Sequence, residues 1–240
     1  MIFITGRYKR AIEDHFDKSP ELEADLTAKG KYELLDLVHS VTPRGVNFIF
    51  IRQPEPLGLG HAVLCARPVV GDEPFGVILA DDLIYAQQPA LGQLIGARSE
   101  MGGGSVLAVQ NVAPKETNKY GIVGVDDELK QTSCVRTMVE KPAPEAAPST
   151  LAVIGRYVLE PEIFTALEHV DRGVGGEIQL TDALQAMAQD RGMMAVRMSG
   201  MRFDAGDWAE FLTANIYFAL QDEELRYELL GLLKNFVQFQ

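Results

Sequence analysis

Short runs of β-branched and aliphatic residues alternate along this chain with longer stretches in which apolar residues recur at the helical period. Such an alternation is typical of a layered α/β domain, in which helices pack against a sheet. The pattern predicts strands at 2–5, 47–52, 76–80, 105–109, 122–125, 135–139, 152–158 and 195–198. It predicts helices at 9–16, 20–41, 61–66, 88–99, 161–167 and 180–191, and two more across 209–236.

The size and charge of the chain limit the classes of partner that it can bind. Its 240 residues suffice for one large domain or two small ones. A formal net charge of −12 argues against nucleic acid or an anionic membrane, because both attract basic surfaces. The two cysteines form no CxxC pair, and no apolar run approaches the roughly 18 residues of a membrane span. We therefore expect a cytoplasmic protein that binds no nucleic acid and no membrane.

Two adjacent aspartates follow the predicted strand at 76–80, in the sequence GVILADDLIY. Side chains at the carboxyl ends of strands line the crevice in which open α/β sheets bind ligands. If this strand is central, Asp81 and Asp82 stand at that edge and point to opposite sides. Two carboxylates there can hold Mg²⁺, which binds to oxygen ligands. A plain strand end, at which one aspartate caps the next segment, fits the same residues.

A second pair of charged residues, Glu140 and Lys141, stands at a strand end in RTMVEKPAP, because Pro142 cannot continue the ladder. A carboxylate accepts hydrogen bonds from sugar hydroxyls, and an ammonium group beside it neutralises a phosphate oxygen. The alternative is a surface ion pair before a turn, which is common and contributes little energy.

Glycines and further aspartates complete the candidate motifs. Gly58 and Gly60 in QPEPLGLGHA permit close approach to a flat ligand, or simply form a strand-to-helix turn. In MRFDAGDW, Asp204 supplies a second metal carboxylate if it folds beside Asp81, while Asp207 fits a helix N-cap. The four histidines show no ligand spacing and are expected to be structural: His15, His39, His61 and His169.

Several of these segments occur in an order that resembles a known family: GLGHAVLCA, GVILADDLI, YGIV, VEKP, IGRYVL, GGEIQLTDAL and RFDAGD. The chain resembles the bacterial uridylyltransferases of the sugar-phosphate nucleotidyltransferase family over residues 2–219. The resemblance implies one domain over residues 1–240, with a Rossmann-like mixed α/β sheet and a C-terminal helical cap at 209–236. It also implies a homo-oligomer.

The resemblance implies a reaction in which the phosphate of glucose 1-phosphate attacks the α-phosphorus of UTP, giving UDP-glucose and pyrophosphate. Gln53 and Gly58 match positions that contact uracil, and Asp82 falls where the ribose lies. Gly121 and Glu140 match positions that bind glucose.

The remaining matched positions carry charge toward the phosphates. Lys141 matches the lysine that meets the sugar phosphate, and Asp81 and Asp204 match the two carboxylates that hold the cofactor Mg²⁺. Lys141 and Asp81 are therefore the predicted catalytic residues. Such a transfer depends on positioning and charge neutralisation more than on covalent participation of the protein.

Two departures from the family pattern lead to further expectations. The glycine-rich GxGTR loop and the PK segment of the family do not occur in this sequence, whose Met1 matches a position in the family's second strand. Because that loop supplies an arginine and a lysine to the triphosphate, we expect an N-terminally truncated member with little or no turnover by itself. We also expect unpaired sheet edges where the first strand would lie. Trp208 stands where the family usually has a lysine.

Two other functions stay open at the level of the sequence. A non-catalytic chain can retain the sugar pocket of Gly121, Glu140 and Lys141, and bind a nucleotide sugar or a full-length paralogue. The other is a nucleotidyltransferase for a different nucleoside triphosphate or sugar phosphate. The segment GGEIQLTDAL and the helix predicted at 20–41 favour the uridylyl branch.

Overall fold

The protein is described here by a computed structural model covering residues 1–173 and 176–238, so residues 174 and 175 of the glycine-rich loop at 173–176 lie outside the described part. The chain forms two compact units, one of residues 1–71 with 164–183 and one of residues 72–163 with 184–240. That these units act as one domain stays a prediction. Among the helices described, none combines the length and the apolar character that a bilayer span requires.

The first unit contains a two-stranded parallel sheet, in which β1 (Ile2–Thr5) pairs with β2 (Ile49–Arg52). Four phenylalanine rings pack together in this unit, and the ring centroids of Phe16 and Phe48 lie 4.7 Å apart, with Phe3 and Phe50 beside them. The helices of residues 1–71 are α1 (Arg10–Phe16), α2 (Pro20–Ala28), α3 (Tyr32–Ser40), α4 (Leu59–Cys65) and α5 (Arg67–Val70).

The single helix predicted at 20–41 is wrong, because the chain breaks it into α2 and α3. Gly30 follows α2 with φ +67°, a left-handed conformation that glycine adopts without strain. The amide of Gly30 donates to the carbonyl of Thr27 at 3.1 Å, and the amide of Lys31 donates to that of Leu26 at 2.9 Å. These two bonds form a Schellman motif, which ends a helix and turns the chain.

The second unit contains a mixed six-stranded sheet with the strand order β3-β8-β5-β9-β7-β6. The pairing of β5 with β9 is parallel, and the other neighbouring pairs are antiparallel. The bounds are β3 (Phe75–Ile78), β5 (Ser105–Asn111), β6 (Gly121–Val125), β7 (Thr132–Glu140), β8 (Leu151–Leu159) and β9 (Met193–Arg197). Its core includes the buried side chains of Leu94, Val106, Ala108, Ile154, Val158 and Val196.

The strand that precedes the paired aspartates is not central in the described structure. β3 ends the six-stranded sheet and pairs with β8, while β1 and β2 form a separate sheet. Both sheets therefore have an edge strand with one neighbour, and the expectation that a further strand is missing there stays a prediction. Three further helices complete the middle of the chain: α6 (Ala90–Glu100), α7 (Glu162–His169) and α8 (Leu180–Asp190).

The sequence pattern misses two short strands that pair with each other and carry two of the predicted site residues. β4 (Asp82–Tyr85) pairs with β10 (Met201–Asp204), and Asp82 lies opposite Asp204. The predicted C-terminal helices are present as α9 (Trp208–Gln221) and α10 (Glu223–Gln238). Aromatic contacts hold α9 against this strand pair, through Tyr85, Phe203, Tyr217 and Phe218.

Gly155 in β8 has φ +47° and lies directly against the Asp82 side chain, where an added Cβ would approach the Asp82 Cγ to 3.0 Å. We expect Gly155→Ala to lower the free energy of unfolding by about 2 kcal/mol or more, through backbone strain and overpacking. Gly96→Ala in α6 is the control, because no atom lies within 4 Å of its added Cβ. It should raise stability by about 0.5–1 kcal/mol. Urea unfolding measures both, and equal stability of the two variants would contradict this reading.

Candidate active site

An arginine lies between two carboxylates on the ladder of β4 and β10. Arg202 Nε donates to Asp82 Oδ1 at 2.5 Å, and Arg202 Nη2 donates to Asp204 Oδ2 at 3.3 Å. Arg202 and Asp204 are two residues apart in one strand, so both side chains stand on the same face of it. Like charges opposite each other in a ladder repel. The guanidinium group between Asp82 and Asp204 offsets that repulsion.

This ion pair is buried. The Arg202 side chain is 8% exposed and that of Asp82 is 11% exposed. Burial raises the pKa of the Asp82 carboxyl above its ordinary value, and the nearby charge of Arg202 offsets only part of that rise. Burial also lowers the pKa of Arg202, but the hydrogen bond to Tyr120 and the charge of Asp82 more than reverse this and raise it overall. Arg202 is therefore a permanent cation inside the unit.

Tyr120 connects this group to the end of β7. Its hydroxyl lies 3.4 Å from both Asp204 Oδ2 and Arg202 Nη1, and its ring centroid lies 4.9 Å from the Arg202 guanidinium carbon. The distance of 4.9 Å between the guanidinium carbon and the ring centroid is that of a cation–π contact. The carbonyl of Tyr120 accepts the amide of Lys141 at 2.9 Å, and Gly121 pairs with Glu140 in the β6–β7 ladder. The predicted sugar-binding and metal-binding residues of this unit are thus linked through one tyrosine.

Lys141 has an unusual backbone conformation, with φ +47°. It is the one non-glycine residue with positive φ in the described part of the chain. Its ammonium group is exposed and lies 3.8 Å from Glu140 Oε1. A non-glycine residue in this region carries strain, which is concentrated at functional sites in many proteins. The strain is consistent with the predicted role of Lys141 at a phosphate.

Asp81 and Asp204 lie at the same end of the β4–β10 pair. Asp81 is exposed, and its carbonyl accepts the amide of Ala205 at 2.8 Å. Among the described residues there is no group of three or more His, Cys, Asp or Glu placed to hold a metal. Mg²⁺ nevertheless needs only one or two protein carboxylates, because water and phosphate oxygens complete its shell. The carboxylates of Asp81 and Asp204 therefore fit Mg²⁺ by their chemistry.

The predicted uracil contacts lie in the first unit. Gln53 Nε2 donates to the carbonyl of Gly58 at 3.1 Å and lies 3.0 Å from His61 Nδ1. Gly58 has φ +93°, and an added Cβ would lie 2.8 Å from the Glu177 Cβ. Only glycine fits this position. The loop therefore fixes the Gln53 carboxamide and brings the backbone of residues 58–60 against residues 177–178.

The sequence patterns do not identify Arg202 or Tyr120 as site residues. Strand alternation would have found Arg202, because it precedes Asp204 by two residues in RFDAGD. Arg156 is also missed, and its guanidinium donates to the carbonyls of Leu79 at 3.0 Å and Asp82 at 2.5 Å. By contrast, the prediction that Asp207 is an N-cap is confirmed, since its carboxylate accepts the amides of Ala209 and Glu210 in the first turn of α9.

Comparison with known proteins identifies the family. The sequence profile of the nucleotidyl transferase family matches residues 3–220. The chain belongs to this family. Among its relatives, a UTP–glucose-1-phosphate uridylyltransferase of Bacillus subtilis (strain 168) is 47% identical over 234 residues, which are 98% of this chain and 80% of the relative. An enzyme of the same name from Staphylococcus saprophyticus is 43% identical, over 98% of this chain and 81% of that enzyme.

Solved structures of this nucleotidyltransferase family agree with the sequence comparison. A UDP-glucose pyrophosphorylase from Acinetobacter baumannii superimposes with a TM-score of 0.88 at 38% identity, covering 98% of this chain and 82% of that one. A pyrophosphorylase in complex with UDP-glucose has a TM-score of 0.80 at 37% identity, covering 91% of this chain and 80% of the other. The family resemblance and the mixed α/β fold predicted from the sequence are confirmed.

The buried pair of Asp82 and Arg202 makes a strong prediction about stability. Asp82→Ala leaves the Arg202 charge buried without its main partner, so we expect the free energy of unfolding to fall by about 3–5 kcal/mol. Asp190→Ala is the control, because Asp190 is 80% exposed and lies 3.5 Å from Arg191. This surface change should cost less than about 1 kcal/mol. Urea unfolding compares the two variants, and a small effect of Asp82→Ala would show that the pair is unimportant.

Proposed function

We propose that this protein transfers the uridylyl group of UTP to glucose 1-phosphate, forming UDP-glucose and pyrophosphate. The observation that supports it best is the linkage of Lys141, Tyr120 and Asp204, which joins a phosphate-binding cation to a metal-binding carboxylate. This arrangement occurs in a chain that is 47% identical to an enzyme named for this reaction.

The residues at the end of β7 would bind the sugar phosphate. The Lys141 ammonium group neutralises the phosphate of glucose 1-phosphate, and the Glu140 carboxylate accepts hydrogen bonds from sugar hydroxyls. Gly121 lies opposite Glu140 in the ladder and would lie beside the sugar ring. A phosphate oxygen then forms a bond to the α-phosphorus of UTP as the bond to pyrophosphate breaks. The protein needs only to position and neutralise these groups.

Asp81 and Asp204 would hold Mg²⁺. When bound, the ion neutralises negative charge on the phosphate oxygens. Asp204 suits this role because its side chain keeps 26% exposure although Arg202 contacts it. Asp81 suits it because it is exposed at the same strand end.

Gln53 and Gly58 would bind the uracil base. Both hydrogen bonds of the Gln53 side chain use its nitrogen, so its carbonyl oxygen is left to accept the N–H group of uracil. Asp82 is buried and accepts a hydrogen bond from Arg202, which favours a structural role next to the site over direct contact with substrate. Its contact with the ribose stays a prediction, as do the homo-oligomer and the cytoplasmic location.

Binding of UDP-glucose tests the proposal without relying on the rate of turnover. Calorimetry with and without Mg²⁺ should show binding of UDP-glucose, and weaker binding of dTDP-glucose. Folded protein that binds no UDP-glucose would contradict the proposal, and a preference for dTDP-glucose would assign a different base. Binding together with pyrophosphate release from UTP and glucose 1-phosphate would exclude a purely non-catalytic role.

Lys141→Met should weaken the binding of glucose 1-phosphate and UDP-glucose by about tenfold or more, because it removes a charged hydrogen-bond donor from a phosphate. Lys130→Met is the matched control, since Lys130 is exposed and pairs at 3.5 Å with Asp127. It should leave binding unchanged. Equal binding by the two variants, measured by calorimetry, would remove Lys141 from the site.

Asp81→Ala should abolish turnover in any form of the enzyme that has measurable turnover, through the loss of a metal ligand worth about 10²-fold or more. It should keep its folded structure, because the Asp81 side chain is exposed. Pyrophosphate release measures the effect, and an unchanged rate would show that Asp81 is not a metal ligand.

A further inference from the structure

Arg202 has no role in the reaction as described above, yet it contacts one of the proposed metal ligands. We propose that Arg202 is a positioning residue, which holds the Asp204 carboxylate in the orientation in which it receives the metal ion. This inference rests on the proposed function, because it takes Asp204 as a metal ligand.

The Asp204 carboxylate is held at both oxygens. Oδ2 lies 3.3 Å from Arg202 Nη2 and 3.4 Å from the Tyr120 hydroxyl, and Oδ1 accepts the amide of Gly206 at 3.0 Å. The Asp204 amide donates to Glu210 Oε2 at 2.6 Å. These contacts come from β10, from the residue before β6, from the turn after β10 and from the start of α9. The carboxylate is therefore oriented by the protein before any metal binds.

Arg202 can orient Asp204 because it is itself fixed. Its Nε is bonded to Asp82, its guanidinium lies against the Tyr120 ring, and its side chain is 8% exposed. Asp82 is fixed in turn, since Gly155 lies against its side chain and Arg156 binds its carbonyl. The anchor of Asp204 thus reaches back into the six-stranded sheet through β8, which carries Gly155 and Arg156.

The charges at this strand end also favour a cation. Asp81, Asp82 and Asp204 carry three negative charges, and Arg156 and Arg202 carry two positive ones. Arg202 neutralises the buried Asp82 at 2.5 Å and contacts Asp204 at the longer distance of 3.3 Å. It therefore orders Asp204 without fully neutralising it, and the excess negative charge remains near the exposed Asp81.

A lysine cannot replace this arginine. The guanidinium group donates in a fixed fork and contacts Asp82, Asp204 and Tyr120 at once, and its central carbon lies 4.9 Å from the centroid of the Tyr120 ring. A lysine ammonium group keeps the charge but lacks the fork and the flat face. The substitution Arg202→Lys therefore removes the positioning while it leaves the total charge of the site unchanged.

The test measures Mn²⁺ binding to the full chain in the absence of nucleotide, by the electron paramagnetic resonance signal of free Mn²⁺. Arg202→Lys should raise the dissociation constant for Mn²⁺ by about 10- to 100-fold, the range typical of residues that orient a metal ligand. Its affinity for UDP-glucose in EDTA should change much less, because Lys141 and Glu140 are intact. Arg98→Lys is the matched control, an arginine of the same unit whose guanidinium group contacts the Gly104 carbonyl and the Glu160 carboxylate and no residue of the proposed site. It should leave Mn²⁺ binding unchanged.

The outcomes separate this inference from the proposed function. Asp204→Asn should remove the Mn²⁺ binding of the wild-type chain, and if it does not, the metal site and the inference both fail. If Asp204→Asn removes binding but Arg202→Lys binds Mn²⁺ as tightly as wild type, only the inference fails.

If Arg202→Lys does not fold, Tyr120→Leu replaces it as the test. This variant removes the ring and the hydroxyl that hold Arg202 but changes no charge. It should weaken Mn²⁺ binding by about 3- to 10-fold, a smaller effect because the bond of Arg202 to Asp82 remains. Unchanged Mn²⁺ binding by folded Tyr120→Leu protein would overturn the inference.

Discussion

The bond between Asp82 and Arg202 is the interaction on which the proposed site depends. A buried carboxylate opposite another carboxylate in a strand ladder is unfavourable, because both desolvation and repulsion act against it. Arg202 offsets both costs by lying between Asp82 and Asp204. The pair in turn fixes the end of β10, which carries Asp204 and leads into α9. One guanidinium group thus offsets the desolvation of Asp82 and its repulsion from Asp204, which lies opposite it in the ladder.

The net charge of −12 and the anionic substrates of the proposed reaction are compatible because the positive charges are placed locally. Lys141 is exposed where the sugar phosphate would bind, whereas Arg202 and Arg156 are committed to contacts within the fold. The cations near the site are therefore of two kinds, one that meets substrate and two that order acidic residues. A count of charges in the sequence does not distinguish them, because the distinction depends on burial.

Most strands could be predicted because their apolar runs are buried on one or both faces, as in β5 and β8. β4 and β10 could not, because Asp82 and Arg202 interrupt their apolar runs, and the partner of each of these side chains lies only across the ladder. The break between α2 and α3 was signalled by Gly30, but the apolar spacing on both sides continues through it. Strands such as β4 and β10 are therefore decided by partners distant in the chain, whereas the helix break is made by local hydrogen bonds of Gly30 and Lys31 that the apolar spacing does not reveal.

The sequence by itself determined the α/β class, the family, and the candidate residues Asp81, Glu140, Lys141 and Asp204, because these depend on patterns and motifs read along the chain. Only the tertiary structure decided that Asp82 is buried against Arg202, and that Tyr120 links Lys141 to Asp204. Arg202 and Asp82 are 120 residues apart in the chain. No local pattern connects them, so their contact exists only once β4 and β10 pair.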